Sequence, residues 1–171
     1  MGDGDGSEAD GKTEHTDRAM KDLSLHILDI VENSIRADAS LTEILIVEDL
    51  EKDLLMLRIK DNGKGMDQEA MRQSTDPFFT TKSGKRIGMG LALLDQATRE
   101  AEGTFGISST PTGGTSIEAT FRYSHPDRKP LGDISATLLT LVVGNPGIDF
   151  LYEHRRGTEV AQFDTRKVGK L

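Results

Sequence analysis

The chain has 171 residues, no cysteine, no tryptophan and a formal net charge of −8. That length suits one domain with a real core, and the missing cysteines exclude a disulfide scaffold and thiolate metal sites and fit a reducing interior. The longest apolar stretch, "ATLLTLVVG", is far short of the ~18 residues of a membrane helix, and the acidic, glycine-rich start does not resemble a signal peptide, so a cytoplasmic protein with no membrane partner is expected.

Residues 1–17 carry six acids and one base and almost no apolar side chain. Nothing there offsets chain entropy, so a disordered tail is expected. The remainder is nearly balanced at −3, with no basic patch, which argues against nucleic acid. Leu23, Ile27, Ile30, Val31, Ile35 and Ala39 recur at three- and four-residue steps, predicting a helix over Asp22–Ala39. "TEILIVEDL" and "DLLMLRIKD" then predict two strands joined by a hairpin turn at "LEKD". A glycine loop, "NGKGMD", leads to a short helix at Gln68–Ser74, and "TDPFFTTKSGKRIGMG" reads as a long loop. "LALLDQATREAEG" is predicted helical, with Gly103 as its C-cap. "TFGISST" and "TSIEATFRY" are predicted strands around the turn "PTGG". From Ser124 a proline-bearing connector leads to an apolar helix, "ISATLLTLVVG", and two strand-like pieces, "IDFLYEH" and "EVAQFD". The predicted organisation is a tail over 1–17, a main domain over 18–123 and an extension over 124–171 packed on it.

Within the first helix, "DIVENSIRADAS" sets Asp29 one turn before Asn33 and Arg36 three residues after it, all on one stripe. Such a stripe reads first as the solvated face of an amphipathic helix. Its alternative is a site for a hard cation, held through oxygen ligands, with Arg36 placed for a phosphate. His26, between Leu25 and Ile27, reads as a packed helix residue. "DNGKGM" ends a strand: Asp61 can accept a hydrogen bond from an exocyclic amine, and Gly63 and Gly65 let backbone approach a ligand, although "DNG" alone is an ordinary turn. Gly88-x-Gly90 opens a helix, where backbone N–H groups favour an anion. The pattern is neither a P-loop nor a Rossmann fingerprint.

In this order the pieces resemble the GHKL superfamily, the ATP-binding fold of DNA gyrase, the Hsp90 chaperones, the MutL repair proteins and histidine kinases. "DIVENSIRA" is similar to its N box, "DNGKGM" to its G1 box, "DPFFTTK" to its F box and "GMGLALL" to its G2 box, over about residues 22–123. The resemblance implies an α+β, two-layer sandwich (the Bergerat fold) with a mixed, mostly antiparallel sheet, helices on one face and a small C-terminal α/β extension. It implies ATP and Mg2+ as ligands. Asn33 would coordinate Mg2+, and Arg36 would help hold phosphate. Asp61 would recognise the adenine amine, with Gly63 and Gly65 giving room and Met66 lining the pocket. Lys82 and Arg86 would reach the terminal phosphates from the lid. Gly88 and Gly90 would contact phosphate, and Thr115 would support the base. Asp29 departs from the pattern: gyrase and the chaperones have a glutamate there as general base, and histidine kinases usually have asparagine. The short lid, between Asp76 and Gly90, resembles kinase-type and anti-sigma-type members. The expected activity is a regulatory protein kinase or phosphotransferase acting in trans, with Asp29 and Lys82 catalytic. The alternative is an ATP-gated protein-binding switch with little turnover. Either reading implies an unidentified protein partner or phosphoacceptor, and a homodimer is open.

Overall fold

A computed structural model describes residues 22–76 and 89–168. The acidic tail, residues 77–80 of the F box and the lid with Lys82, Arg86 and Gly88 lie outside the described residues.

Helix α1 spans Leu23–Arg36. It starts where Asp22, in extended backbone, accepts the Leu25 N–H on its side chain, and it ends in the left-handed turn at Asp38, φ 57°. It stops short of the predicted Ala39 because Asp38 turns left-handed, and the Ala39 N–H bonds back to the Ser34 carbonyl at 3.1 Å. Strands β1 (Leu41–Asp49) and β2 (Leu54–Asp61) form the predicted hairpin, followed by α2 (Gln68–Ser74). Helix α3 (Met89–Glu100), β3 (Phe105–Ser109) and β4 (Thr115–Arg122) come next. Helix α4 (Ile134–Gly144), β5 (Asp149–Arg156) and β6 (Glu159–Asp164) complete the chain.

The six strands form one sheet in the order β3-β4-β2-β1-β5-β6. Every neighbouring pair is antiparallel except β1 with β5. This is the α+β sandwich that the motifs imply. Burial alternates along β1, and Thr42, Ile44, Ile46 and Glu48 point to the helix layer. There they meet Leu23, Ile27, Ile30 and Val31 of α1, Leu91 and Leu94 of α3, and Leu141 of α4. Fully buried Phe121 and Phe150 fill the core from β4 and β5.

The C-terminal residues enter this architecture at two places. Strand β5 lies parallel to β1, and the connector clamps the start of α1. Leu23 and Ser24 donate their N–H groups to the carbonyls of Pro130 and Leu131, each at 2.9 Å. Two orphan donors of the helix N-terminus are thereby satisfied by the connector, and Asp22 satisfies a third.

One sequence expectation is corrected. Gly103 is not the left-handed cap of α3; that conformation falls on Glu102, φ 55°. Gly103 is required for another reason, because a β-carbon there would stand 1.7 Å from the Thr120 carbonyl oxygen.

Candidate functional site

The site lies where α1 crosses the ends of the central strands. Asp61 pairs with Thr42 of β1 on one side and Thr115 of β4 on the other, and Thr115 pairs with Ser109 of β3. Opposed residues share a face, so four polar side chains form a row across four strands. Asp61 is buried, and both of its oxygens are held. Oδ1 accepts the Gly63 N–H at 2.9 Å, and Oδ2 accepts the Ser34 hydroxyl at 2.7 Å. Thr115 is tied to Ser109 through their hydroxyls at 2.9 Å, and Ser109 Oγ accepts the Met66 N–H at 2.7 Å and reaches the Gly114 carbonyl. The network thus joins the β2–α2 loop to the β3–β4 turn and places half-buried Met66 beside the row.

The glycines make close approaches. A β-carbon on Gly63 would sit 2.8 Å from the Ala37 carbonyl oxygen. Gly65 has φ +71°, and a β-carbon there would stand 1.9 Å from the Thr110 carbonyl oxygen. Gly90, in the first turn of α3, faces α1, and its β-carbon would lie 3.2 Å from Asp29 Cβ. Asp29 is therefore adjacent to the G2 helix. Burial is the main cause that raises its carboxyl above the ordinary carboxylate range; Glu32 adds to this, and Arg36 opposes it.

Asn33 Oδ1 accepts from the Arg36 guanidinium at 3.1 Å. A cationic group thus occupies the oxygen that a metal would use, and the donor set is oxygen throughout, which fits a hard cation. Among the described residues no cluster of three or more His, Asp or Glu side chains could form a cage. A Mg2+ here would rely on Asn33, on Asp29 through water and on phosphate oxygens. ATP fits on the same grounds: Asp61 retains lone pairs for an amine, and Gly63 and Gly65 let the loop beside it close against Ala37 and Thr110. A cavity of about 540 Å3 reaches the same strand ends, lined by Glu43, Arg58 and Lys60 and also by Asp61, Ser109 and Thr115 of the row, with no α1 residue.

Asp29, Asn33, Arg36, Asp61, Gly63, Gly65, Met66, Gly90 and Thr115 thus fall around one end of α1 and the sheet. His26 does not join them. It is buried at the other end of α1, and its Nε2 has no hydrogen-bond partner among the described residues. Ser34 and Ser109 belong to the site and were not singled out from sequence. Strand register marks Ser109, opposite Thr115; Ser34 is marked only by its place next to Asn33.

The chain matches the family model for histidine kinase-, DNA gyrase B- and HSP90-like ATPases over residues 20–125, and it belongs to that family. Among its relatives is the sensor histidine kinase YxdK of Bacillus subtilis, 30% identical over 104 residues, which are 58% of this chain and 32% of YxdK. The tetrathionate sensor histidine kinase TtrS of Salmonella typhimurium is 29% identical over 103 residues, 59% of this chain and 17% of TtrS. The chain therefore matches a third or less of the length of these relatives. Among solved structures, the N-terminal domain of a DNA repair protein aligns with a TM-score of 0.53 and 21% identity, covering 84% of this chain and 51% of that one, a likeness of fold. Family and fold together support ATP binding. Among the described residues no helix is long and apolar enough to cross a membrane.

Proposed function

We propose that the chain is a cytoplasmic signalling module that binds ATP with Mg2+ and transfers the terminal phosphate to a protein in trans. The reading is carried by Asp61, a buried carboxylate held at both oxygens beside the helix that bears Asp29, Asn33 and Arg36. Asp61 accepts the 6-amino group of adenine. Met66 and the Gly63 and Gly65 backbone take the base, and Thr115 supports it. Asn33 holds the metal. Arg36, which donates to Asn33 at 3.1 Å, would hold phosphate. Gly88 and Gly90 contact phosphate, while Lys82 and Arg86 neutralise the charge that develops at transfer. Phosphoryl transfer requires mainly positioning and charge, and these residue types supply both. Asp29, with its raised affinity for protons, takes the proton of the attacking group.

Incubation of the protein with Mg2+, γ-labelled ATP and a cell extract tests this. Label on a partner protein is expected, and it is lost with Asn33→Ala. No labelled protein with any partner counts against transfer.

A second reading follows from the length of Asp29, one methylene shorter than glutamate. In it ATP gates association with a protein partner, with little turnover. Asp29→Asn separates the two readings: it abolishes labelling in the first and leaves nucleotide-dependent association intact in the second.

A further inference from the structure

Ser34 follows Asn33 directly on α1. A single helical step of about 100° turns it from the metal-facing stripe to the buried side, above the end of β2. Ser34 is 3% exposed, and its hydroxyl lies 2.7 Å from Asp61 Oδ2. The other acceptor within reach, the Ile30 carbonyl oxygen, is at 3.5 Å, too long to compete. The terminal torsion of an aspartate is broad and roughly two-fold, so a carboxylate held at one oxygen can still turn. Asp61 is held at both, by Gly63 from its own loop and by Ser34 from the helix. Its plane is set before any ligand arrives.

An ionised carboxylate only accepts hydrogen bonds. A purine with an amine at position 6 satisfies it; a purine with a keto oxygen there sets lone pair against lone pair. We propose that Ser34 is a specificity-determining positioning residue, which fixes the Asp61 carboxylate so that the site takes a 6-amino purine nucleotide and rejects a 6-keto one. The inference rests on the reading of Asp61 as the base acceptor. It also gives α1 two tasks at adjacent positions: Asn33 serves the phosphate end of the nucleotide and Ser34 the base end.

The test compares the equilibrium binding of ATP and ITP, both with Mg2+, to the wild type, Ser34→Ala and Ser34→Thr. The wild type prefers ATP. Ser34→Ala weakens ATP by about tenfold, the scale of one hydrogen bond to a charged group, and changes ITP by less than about twofold. Ser34→Thr keeps the hydroxyl and restores the preference. Thr137→Val is the control. Thr137 is buried on α4, outside the polar row, where its hydroxyl reaches the Ser24 carbonyl oxygen, and its removal leaves the preference unchanged. Should Ser34→Ala not fold, Ser34→Cys, close in size and a weak donor, takes its place and loses part of the preference. Equal weakening of ATP and ITP, or a preference that survives loss of the hydroxyl, overturns the Ser34 assignment while leaving the Asp61 reading in place. A wild type that binds ATP and ITP equally overturns the reading of Asp61, and the Ser34 assignment with it.

Discussion

Asp29 and Glu32 are one turn apart on α1, and their mutual repulsion is one cause of the raised Asp29 carboxyl. If Asp29 is the base, turnover falls as pH drops through that raised range. Glu32→Gln removes the repulsion, so the acid limb of the rate profile should move to lower pH while ATP affinity stays unchanged; an unmoved limb would exclude Asp29 as the titrating base. Thr42 makes a prediction of a different kind. Its fully buried hydroxyl lacks a partner among the described residues, and a buried polar group left unpaired costs about 1–3 kcal/mol. Thr42→Val should therefore raise stability by about 1 kcal/mol, read as the midpoint of urea unfolding. A lower midpoint would show that the hydroxyl is satisfied.

At the scale of elements, Gly65 and Gly103 hold pairs of segments together. Gly65→Ala sets a side chain at φ +71° and against the Thr110 carbonyl, so the β2–α2 loop must lift from the β3–β4 turn. Loss of ATP binding with only a modest drop in Tm is expected, since the cost falls on the loop. Much of this level was legible in the chain. The steps of three and four in α1, the alternation in β1 and the glycines of "DNGKGM" each follow from local geometry. Two things were not. The roles of Glu102 and Gly103 depend on how closely β4 passes, which no local pattern records. Ser34 depends on which strand end α1 crosses and Ser109 on which strand pairs with β3, and their hydroxyls look like any others until Asp61 and Thr115 come beside them. In "DNG", Asn62 proves structural: its side-chain oxygen accepts the Ser40 and Leu41 N–H groups, each at 2.9 Å, and so holds the start of β1.

For the whole molecule, stability is coupled to pH through His26. Burial, assisted by Lys129 and opposed by Asp22, lowers its pKa from 6.5 to about 4. The folded protein therefore resists a proton that the unfolded chain accepts between these values. This contribution is absent above pH 6.5. It removes stability progressively as pH falls toward about 4, reaching roughly 3 kcal/mol. His26→Leu should flatten the dependence of unfolding free energy on pH across that window; a slope that persists would assign it to another group. The connector contributes to the same end of α1, because Leu23 and Ser24 lose their acceptors if residues 130–131 leave. Deletion of residues 124–168 should therefore destabilise the helix that carries Asn33, as well as strip β5 from β1.

The central claim is that Asp61 and Asn33 mark the two ends of one bound nucleotide. Calorimetric titration with ATP, with and without Mg2+, tests it most directly on the wild type, Asp61→Asn and Asn33→Ala. Asp61→Asn should cost about 1–3 kcal/mol, roughly ten- to hundredfold in affinity, with or without the metal. Asn33→Ala should abolish only the Mg2+-dependent part. Wild-type affinity in a folded Asp61→Asn protein, or a metal dependence that Asn33→Ala leaves intact, would contradict it.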